Sequence, residues 1–180
     1  MKKPQTKRLV TSAACIALGI LLPMVFHTIP NAGSIFLPMH IPVLLCGLVC
    51  GWGYGLAVGV LTPVLSALLT QMPPAAVLPG MACELAVYGL ITGLLSRRVR
   101  TGKYLANLYI SLVSAMLIGR VTYGVLNALI FKAGQYSLNL WLTAAFITGL
   151  PGIAIQLVLI PPLVFALERA HVFSTTELQH

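Results

Sequence analysis

The chain has 180 residues, of which 58% are hydrophobic and only 8% are charged, and its mean hydropathy is +0.96. A soluble domain carries about a quarter charged residues, so this composition excludes a water-soluble protein and indicates an integral membrane protein. The formal net charge of +8 would suggest nucleic-acid binding in a soluble chain. Here no hydrophilic segment is long enough to form a basic surface, which excludes that interpretation.

Six apolar runs approach or exceed the roughly 20 residues that a helix needs to cross a bilayer. They predict an all-α bundle of six transmembrane helices in one domain, at approximately 9–28, 38–52, 54–71, 77–96, 105–131 and 140–167. The last run contains Gly149 and Pro151. We predict one kinked helix there, because neighbouring helices can satisfy the carbonyls that a proline frees.

The positive charges predict the orientation of the helices. Nine of the 11 Lys and Arg residues lie before helix one, between helices four and five, or after helix six: Lys2, Lys3, Lys7, Arg8, Arg97, Arg98, Arg100, Lys103 and Arg169. With six helices these regions share one side, so both termini are predicted to be cytoplasmic. The other two are Lys132, in a predicted outer loop, and Arg120, within helix five.

Motifs for catalysis and for energy coupling are missing from the sequence. No Walker A pattern could hold nucleotide phosphates, and without any aspartate a Ser-His-Asp triad is excluded. The cysteines and histidines show no metal-ligand spacing. We therefore expect no enzyme, no cofactor and no metal, but a binding subunit that obtains energy from partner proteins.

Arg120 is the positive charge that topology does not explain. It lies about 16 Å below the outer end of helix five, where an arginine costs several kcal/mol unless it meets a counter-charge or a polar cavity. It is therefore either part of a structural ion pair or an anchor for an anionic ligand. Tyr123 and Asn127 continue its helix face. Asn127 is either an interhelical hydrogen-bonding residue or a ligand contact.

Glu84 is the only acidic residue within a predicted span. It lies about 10 Å below the outer end of helix four. Side chains lean toward a helix's N-terminus, which separates Glu84 from Arg120 in depth, so a direct pair is not favoured by this geometry. Glu84 is then a structural carboxylate or a ligand contact, and Tyr88 follows it on the same face.

Three further polar or aromatic residues lie near the predicted outer face. Gln71 and His40 flank the outward mouth, and His40 either forms hydrogen bonds at a helix end or contacts ligand. Trp141 is an interface anchor or a stacking platform. In helix one, Ala13 and Ala17 are small residues one turn apart that let another helix approach closely, inside this bundle or outside it.

The whole chain resembles the substrate-binding S-components of energy-coupling factor (ECF) vitamin transporters. The resemblance lies in the six helices, the Ala13/Ala17 pair, and the segments LPMHIPVLLCG at 37–47, LLTQMPP at 68–74 and GRVTYGVLNAL at 119–129, which are similar to the pantothenate-type branch. It implies a six-helix bundle in the bacterial cytoplasmic membrane. The ligand pocket would lie near the outer face, formed mainly by helices four to six.

The resemblance also implies partners and a transport cycle. A membrane scaffold protein and two cytoplasmic ATPases would drive import, with Ala13 and Ala17 contacting the scaffold. The S-component would bind vitamin outside, topple within the bilayer and release it inside.

For pantothenate, we expect Arg120 to meet the carboxylate, while Glu84, Asn127 and Gln71 contact its hydroxyls or amide. Other vitamins, such as hydroxymethylpyrimidine, folate, riboflavin or a queuosine precursor, would use aromatic stacking on residues such as Tyr88, Tyr123 and Trp141. A stand-alone small-molecule carrier is the alternative from another class.

Overall fold

The computed structural model describes residues 3–25, 32–131 and 137–170, and within these ranges all regular structure is helical. The α-helices are α1 (Lys3–Val25), α2 (Ala32–Phe36), α3 (His40–Cys50), α4 (Trp52–Thr70), α5 (Leu78–Arg98), α6 (Tyr104–Leu126), α7 (Leu138–Leu142) and α8 (Leu150–Arg169). Two π-helical segments, Asn127–Phe131 and Thr143–Thr148, continue α6 and α7.

In the described part of the chain, six helices are long and apolar enough to cross a membrane. They are Gln5–Val25, Gly33–Cys50, Trp52–Thr70, Leu78–Arg98, Tyr104–Phe131 and Leu150–Arg169. The predicted all-α fold with six transmembrane helices is confirmed. The short helix α2 lies between the first two predicted spans, and Lys132 lies outside the described residues.

The predicted helix at 140–167 is not one continuous α-helix. α7 and its π-helical extension end at Thr148, and α8 begins at Leu150. The new start places Pro151 in the first turn of α8, where a helix needs no backbone N–H donor and the ring causes no clash. The prediction of a kinked helix was therefore wrong at this point, since the proline begins a helix.

The basic ends of the helices meet at one end of the bundle. The Cys50 thiol at the end of α3 lies 3.6 Å from the carbonyl of Arg8 in α1. The guanidinium of Arg97 at the end of α5 packs against Gly51, and the rings of Tyr104 and Phe165 join the start of α6 to the end of α8 at 5.2 Å. The positive charges of the sequence predict that this end is cytoplasmic.

Helices α4 and α5 approach each other at backbone distance. A Cβ placed on Gly55 would collide with the carbonyl of Gly89, and a Cβ on Gly89 would collide with that of Gly55. Glycine pairs of this kind let membrane helices pack through their main chains. A core of fully buried aliphatic side chains, including Val43, Leu85 and Leu112, fills the space beside them. The helix that carries Glu84 is thus held firmly on one side.

Candidate functional site

Four polar side chains meet in the interior at the end of the bundle opposite the basic residues. The carboxylate of Glu84 lies at the centre: its Oε1 is 3.2 Å from Nη1 of Arg120 and accepts a hydrogen bond from the Tyr88 hydroxyl, also at 3.2 Å. Its Oε2 is 3.8 Å from Nε2 of His40. All four residues are buried, with Arg120 the most exposed at 6%. We call these residues the polar cluster.

The Glu84–Arg120 ion pair forms, although the predicted difference in depth did not favour it. Gly80 of α5 lies against Tyr123 and Asn127, so the outer start of α5 is level with the end of α6 at Leu126. Counted from these ends, Glu84 and Arg120 both lie about 9 Å deep. The expectation took residue 131 as the level outer end, which placed Arg120 too deep.

Small residues let α5 and α6 come close enough for this pair. A Cβ on Gly119 would overlap the ring of Tyr88, and a Cβ on Gly80 would come within 2.6 Å of the Asn127 amide nitrogen. Both glycines lie opposite a large side chain of the facing helix. The sequence interpretation did not include these two positions, although a glycine beside an intramembrane arginine was the available signal.

Arg120 has one guanidinium edge without a partner. Its Nη1 faces Glu84, whereas its Nε and Nη2 are buried and form no hydrogen bond with the described residues. In a guanidinium these two N–H groups point the same way and form a fork that fits a carboxylate. Nη2 lies beside Gly149, since a Cβ there would be 3.0 Å from it. The free edge therefore lies toward the junction of α7 and α8.

Trp141 holds the main chain of α6 beside this edge. Its indole N–H donates a hydrogen bond to the carbonyl of Arg120 at 3.0 Å, and its ring packs over Gly124 and edge-on to Phe146 at 5.6 Å. It is half-buried. This contact adds a role beyond the two predicted alternatives of interface anchor and stacking platform, because the indole joins α7 to α6.

His40 is buried, whereas the sequence predicts it beside the outward mouth. It is the first residue of α3 and only 2% exposed. Neither ring nitrogen forms a hydrogen bond with the described residues, and the ring meets that of Tyr88 edge-on, with centroids 5.3 Å apart. The turn before α3 carries it inward. Leu37 there has a left-handed φ of 51°, a conformation rare for leucine, which no feature of the sequence indicates.

The same turn is held by α8. The carbonyl of Leu37 accepts hydrogen bonds from the main chain of His40 at 3.1 Å and from the side-chain amide of Gln156 at 3.4 Å. A Cβ on Gly152 would come within 2.7 Å of the carbonyl of Ile35 in α2. α8 thereby fixes the chain directly beside the polar cluster.

Asn127 and Gln71, two of the predicted ligand contacts, differ in burial. Asn127 is 1% exposed, and its amide donates to the Tyr123 carbonyl at 2.8 Å, at the start of a π-helical segment. π-Helical segments are frequent at functional sites. Gln71 is exposed in a left-handed conformation at the end of α4, outside the polar cluster.

Residues 7–164 match the family described as ECF transporter, substrate-specific component. The chain belongs to this family. ECF S-components are substrate-binding subunits in the membrane that associate with the other ECF transporter components. With its apolar helices, the family indicates a multi-pass membrane protein. Comparisons with curated proteins and with solved structures gave no match.

The small-residue pair of this S-component lies on an outer face. Ala13 and Ala17 are both exposed on α1, whereas Ser12 and Cys15 on the same helix are buried toward α3. The first of the two predicted settings, packing inside the bundle, therefore does not describe this pair. Its surface is free to contact lipid or another helix.

Proposed function

We propose that this S-component binds pantothenate for an ATP-driven ECF importer. The observation that carries the proposal is the buried Arg120, whose Nε and Nη2 have no partner among the described residues. A buried donor without an acceptor costs free energy, and a carboxylate would supply two acceptors at once. An anionic vitamin with a flexible carboxylate arm fits this edge.

The ion pair with Glu84 supports this proposal because it leaves the free edge intact. Glu84 contacts only Nη1, so the guanidinium is held in one orientation while its other face stays available. A pre-oriented fork loses little entropy when a ligand arrives. Arg120 is thus the anchor, and Glu84 sets its direction and contacts a ligand hydroxyl.

The remaining ligand contacts follow from position. Asn127 and Tyr123 extend the Arg120 face toward the outside, and His40 has two ring nitrogens without hydrogen bonds. These groups contact the hydroxyls and the amide of pantothenate. Gln71 reaches the ligand from the rim of the site.

The packing of the aromatic residues supports pantothenate over vitamins that stack. Tyr88 is 1% exposed, and its ring lies between His40 and the main chain of Gly119. Trp141 is packed over Gly124 and against Phe146. Both rings are engaged in the bundle, whereas the guanidinium edge is not.

Transport requires partners in this proposal. A scaffold protein of the membrane would bind the exposed Ala13/Ala17 face of α1, and two cytoplasmic ATPases would supply energy in a bacterial cytoplasmic membrane. Liposomes that contain only this chain should not accumulate pantothenate. Accumulation without partners would instead support a stand-alone carrier.

Calorimetric titration of the purified protein in nanodiscs tests the substrate. We expect saturable binding of pantothenate and binding at least 100-fold weaker of its alcohol analogue, in which CH₂OH replaces the carboxylate, because two charge-assisted hydrogen bonds contribute about 3 kcal/mol or more. Equal affinity for both compounds, or no binding of pantothenate, would contradict the proposal. Mass spectrometry of ligand that co-purifies from native membranes would then identify the actual substrate.

A further inference from the structure

We propose that the site takes up one proton together with its anionic ligand, and that the proton is held between Nε2 of His40 and Oε2 of Glu84. This inference rests on the proposed function, because it concerns the binding of a carboxylate at Arg120. Beyond that function, it states which protonation state the site has when the ligand is bound.

The charges of the polar cluster carry the first step. Arg120 is positive, Glu84 pairs with it at 3.2 Å, and the Tyr88 hydroxyl that donates to Glu84 is neutral. The cluster without ligand is therefore balanced. A ligand carboxylate at the free edge of Arg120 adds one negative charge among residues that are at most 6% exposed. An unbalanced buried charge is costly, and one proton restores the balance.

The geometry assigns that proton to one place. Oε1 of Glu84 already contacts Arg120 and Tyr88, whereas Oε2 faces Nε2 of His40 at 3.8 Å. That distance is too long for a hydrogen bond, and neither His40 nitrogen has a hydrogen-bond partner in the described ranges. A proton from the outer water on Nε2 turns this pair into a charge-assisted hydrogen bond.

No other titratable group that faces this pair in the described structure is suited to take the proton. A phenol and a guanidinium do not accept a proton in neutral water, which excludes Tyr88 of α5, Tyr123 of α6 and Arg120. The outer part of α4, from Leu56 to Thr70, has no ionisable residue. α7 and α8 contribute Trp141 and Gln156, which do not titrate. The uptake should therefore be close to a single proton.

Calorimetric titration with pantothenate between pH 5.5 and 8.5 tests the proton directly. Above pH 5.5 the ligand's own carboxyl is already ionised, since carboxylic acids titrate near pH 4. Comparing, at each pH, two buffers that are effective there and differ in ionisation heat gives the number of protons taken up per ligand. We expect about one, and a Kd that rises about tenfold for each pH unit over the range of uptake.

One control ligand and one matched pair of variants make the result specific. The neutral alcohol analogue should bind without proton uptake, because it adds no charge. In Glu84→Gln, pantothenate should bind without proton uptake by the site, because the charge of Arg120 alone then balances the charge of the ligand. Glu168→Gln, the same change at the opposite end of the bundle, should retain proton uptake.

The outcomes separate this inference from the proposed function. If wild-type protein binds pantothenate with no buffer-dependent heat and with a Kd that is constant over this pH range, the proposed proton uptake is refuted. The proposed substrate is then unaffected. Equal proton uptake with the alcohol analogue would also overturn the proposed uptake. Absence of pantothenate binding at every pH would overturn both. The wild-type measurement decides the matter even if Glu84→Gln does not fold.

Discussion

Replacing Arg120 separates its observed role, which is to balance Glu84, from its proposed role, which is to anchor a ligand carboxylate. Arg120→Lys retains the positive charge but removes the fork formed by Nε and Nη2. A lysine ammonium can offer the ligand one contact where arginine offers two. Losing one charge-assisted hydrogen bond costs about 1.5–3 kcal/mol, which corresponds to pantothenate binding roughly 10- to 150-fold weaker.

The change to a neutral residue needs a compensating partner change. Arg120→Gln alone leaves Glu84 buried at 3% exposure without its counter-charge, which costs about 3–5 kcal/mol of stability. Arg120→Gln with Glu84→Gln removes both charges, so most of that stability should return. Pantothenate binding should still fall by more than about 100-fold, because both hydrogen bonds to the carboxylate are lost.

Wild type, Arg120→Lys, Arg120→Gln and the double variant are compared in nanodiscs. Thermal unfolding measures their stability, and calorimetric titration measures their affinity for pantothenate. The alcohol analogue is the control ligand, and its affinity should fall much less than that of pantothenate in the double variant, because it has no carboxylate contact to lose. The reasoning is refuted if the folded double variant binds pantothenate within about threefold of wild type. In that case Arg120 would serve only as the structural partner of Glu84.

Three further predictions concern the helix contacts. Gly89→Ala should lower thermal stability by at least about 2 kcal/mol, because its methyl would meet the main chain of α4, whereas Gly53→Ala, where a Cβ has open space, should be neutral or stabilising. Ala17→Trp should reduce co-purification with the scaffold protein while ligand binding persists, and Ala14→Trp on the same helix should reduce it less. Trp141→Phe loses the indole hydrogen bond to α6, so ligand binding should weaken by about 1 kcal/mol, or roughly fivefold in Kd. These contacts are contradicted if Gly89→Ala is as stable as Gly53→Ala, if Ala17→Trp co-purifies as well as Ala14→Trp, or if Trp141→Phe binds ligand as tightly as wild type.

The fold was predictable because the bilayer restricts it so strongly. Apolar runs long enough to span must become helices, and the positive charges indicate which ends lie together. The structure agrees, since Arg97 and the chain near Arg8 lie at one end of the bundle. The division at Gly149 was not predictable from hydropathy, because the run remains apolar on both sides. Only the preference of Pro151 for a first helical turn indicated it.

The members of the polar cluster were predictable, but their contacts were not. A charged residue within a span must face the interior, which identified Glu84 and Arg120 without a structure. Their pairing depends on the register of α5 against α6. Placing the outer end of α6 five residues too far along the chain changes the depth estimated for Arg120 by about 7 Å. His40 was placed at the mouth because the sequence does not show that the Leu37 turn folds inward.

The structure shows the ion pair that the sequence left open for Arg120, and this pair is compatible with the proposed ligand anchor. A structural ion pair and a ligand anchor were alternatives because a single positive charge was assumed to serve one partner. A guanidinium has separate edges, and in this bundle Nη1 faces Glu84 while Nε and Nη2 remain without partners in the described chain. The ion pair lowers the cost of keeping a charge in the membrane between transport cycles. It also holds the other edge in a fixed direction, so the ion pair would support the proposed anchor role rather than compete with it.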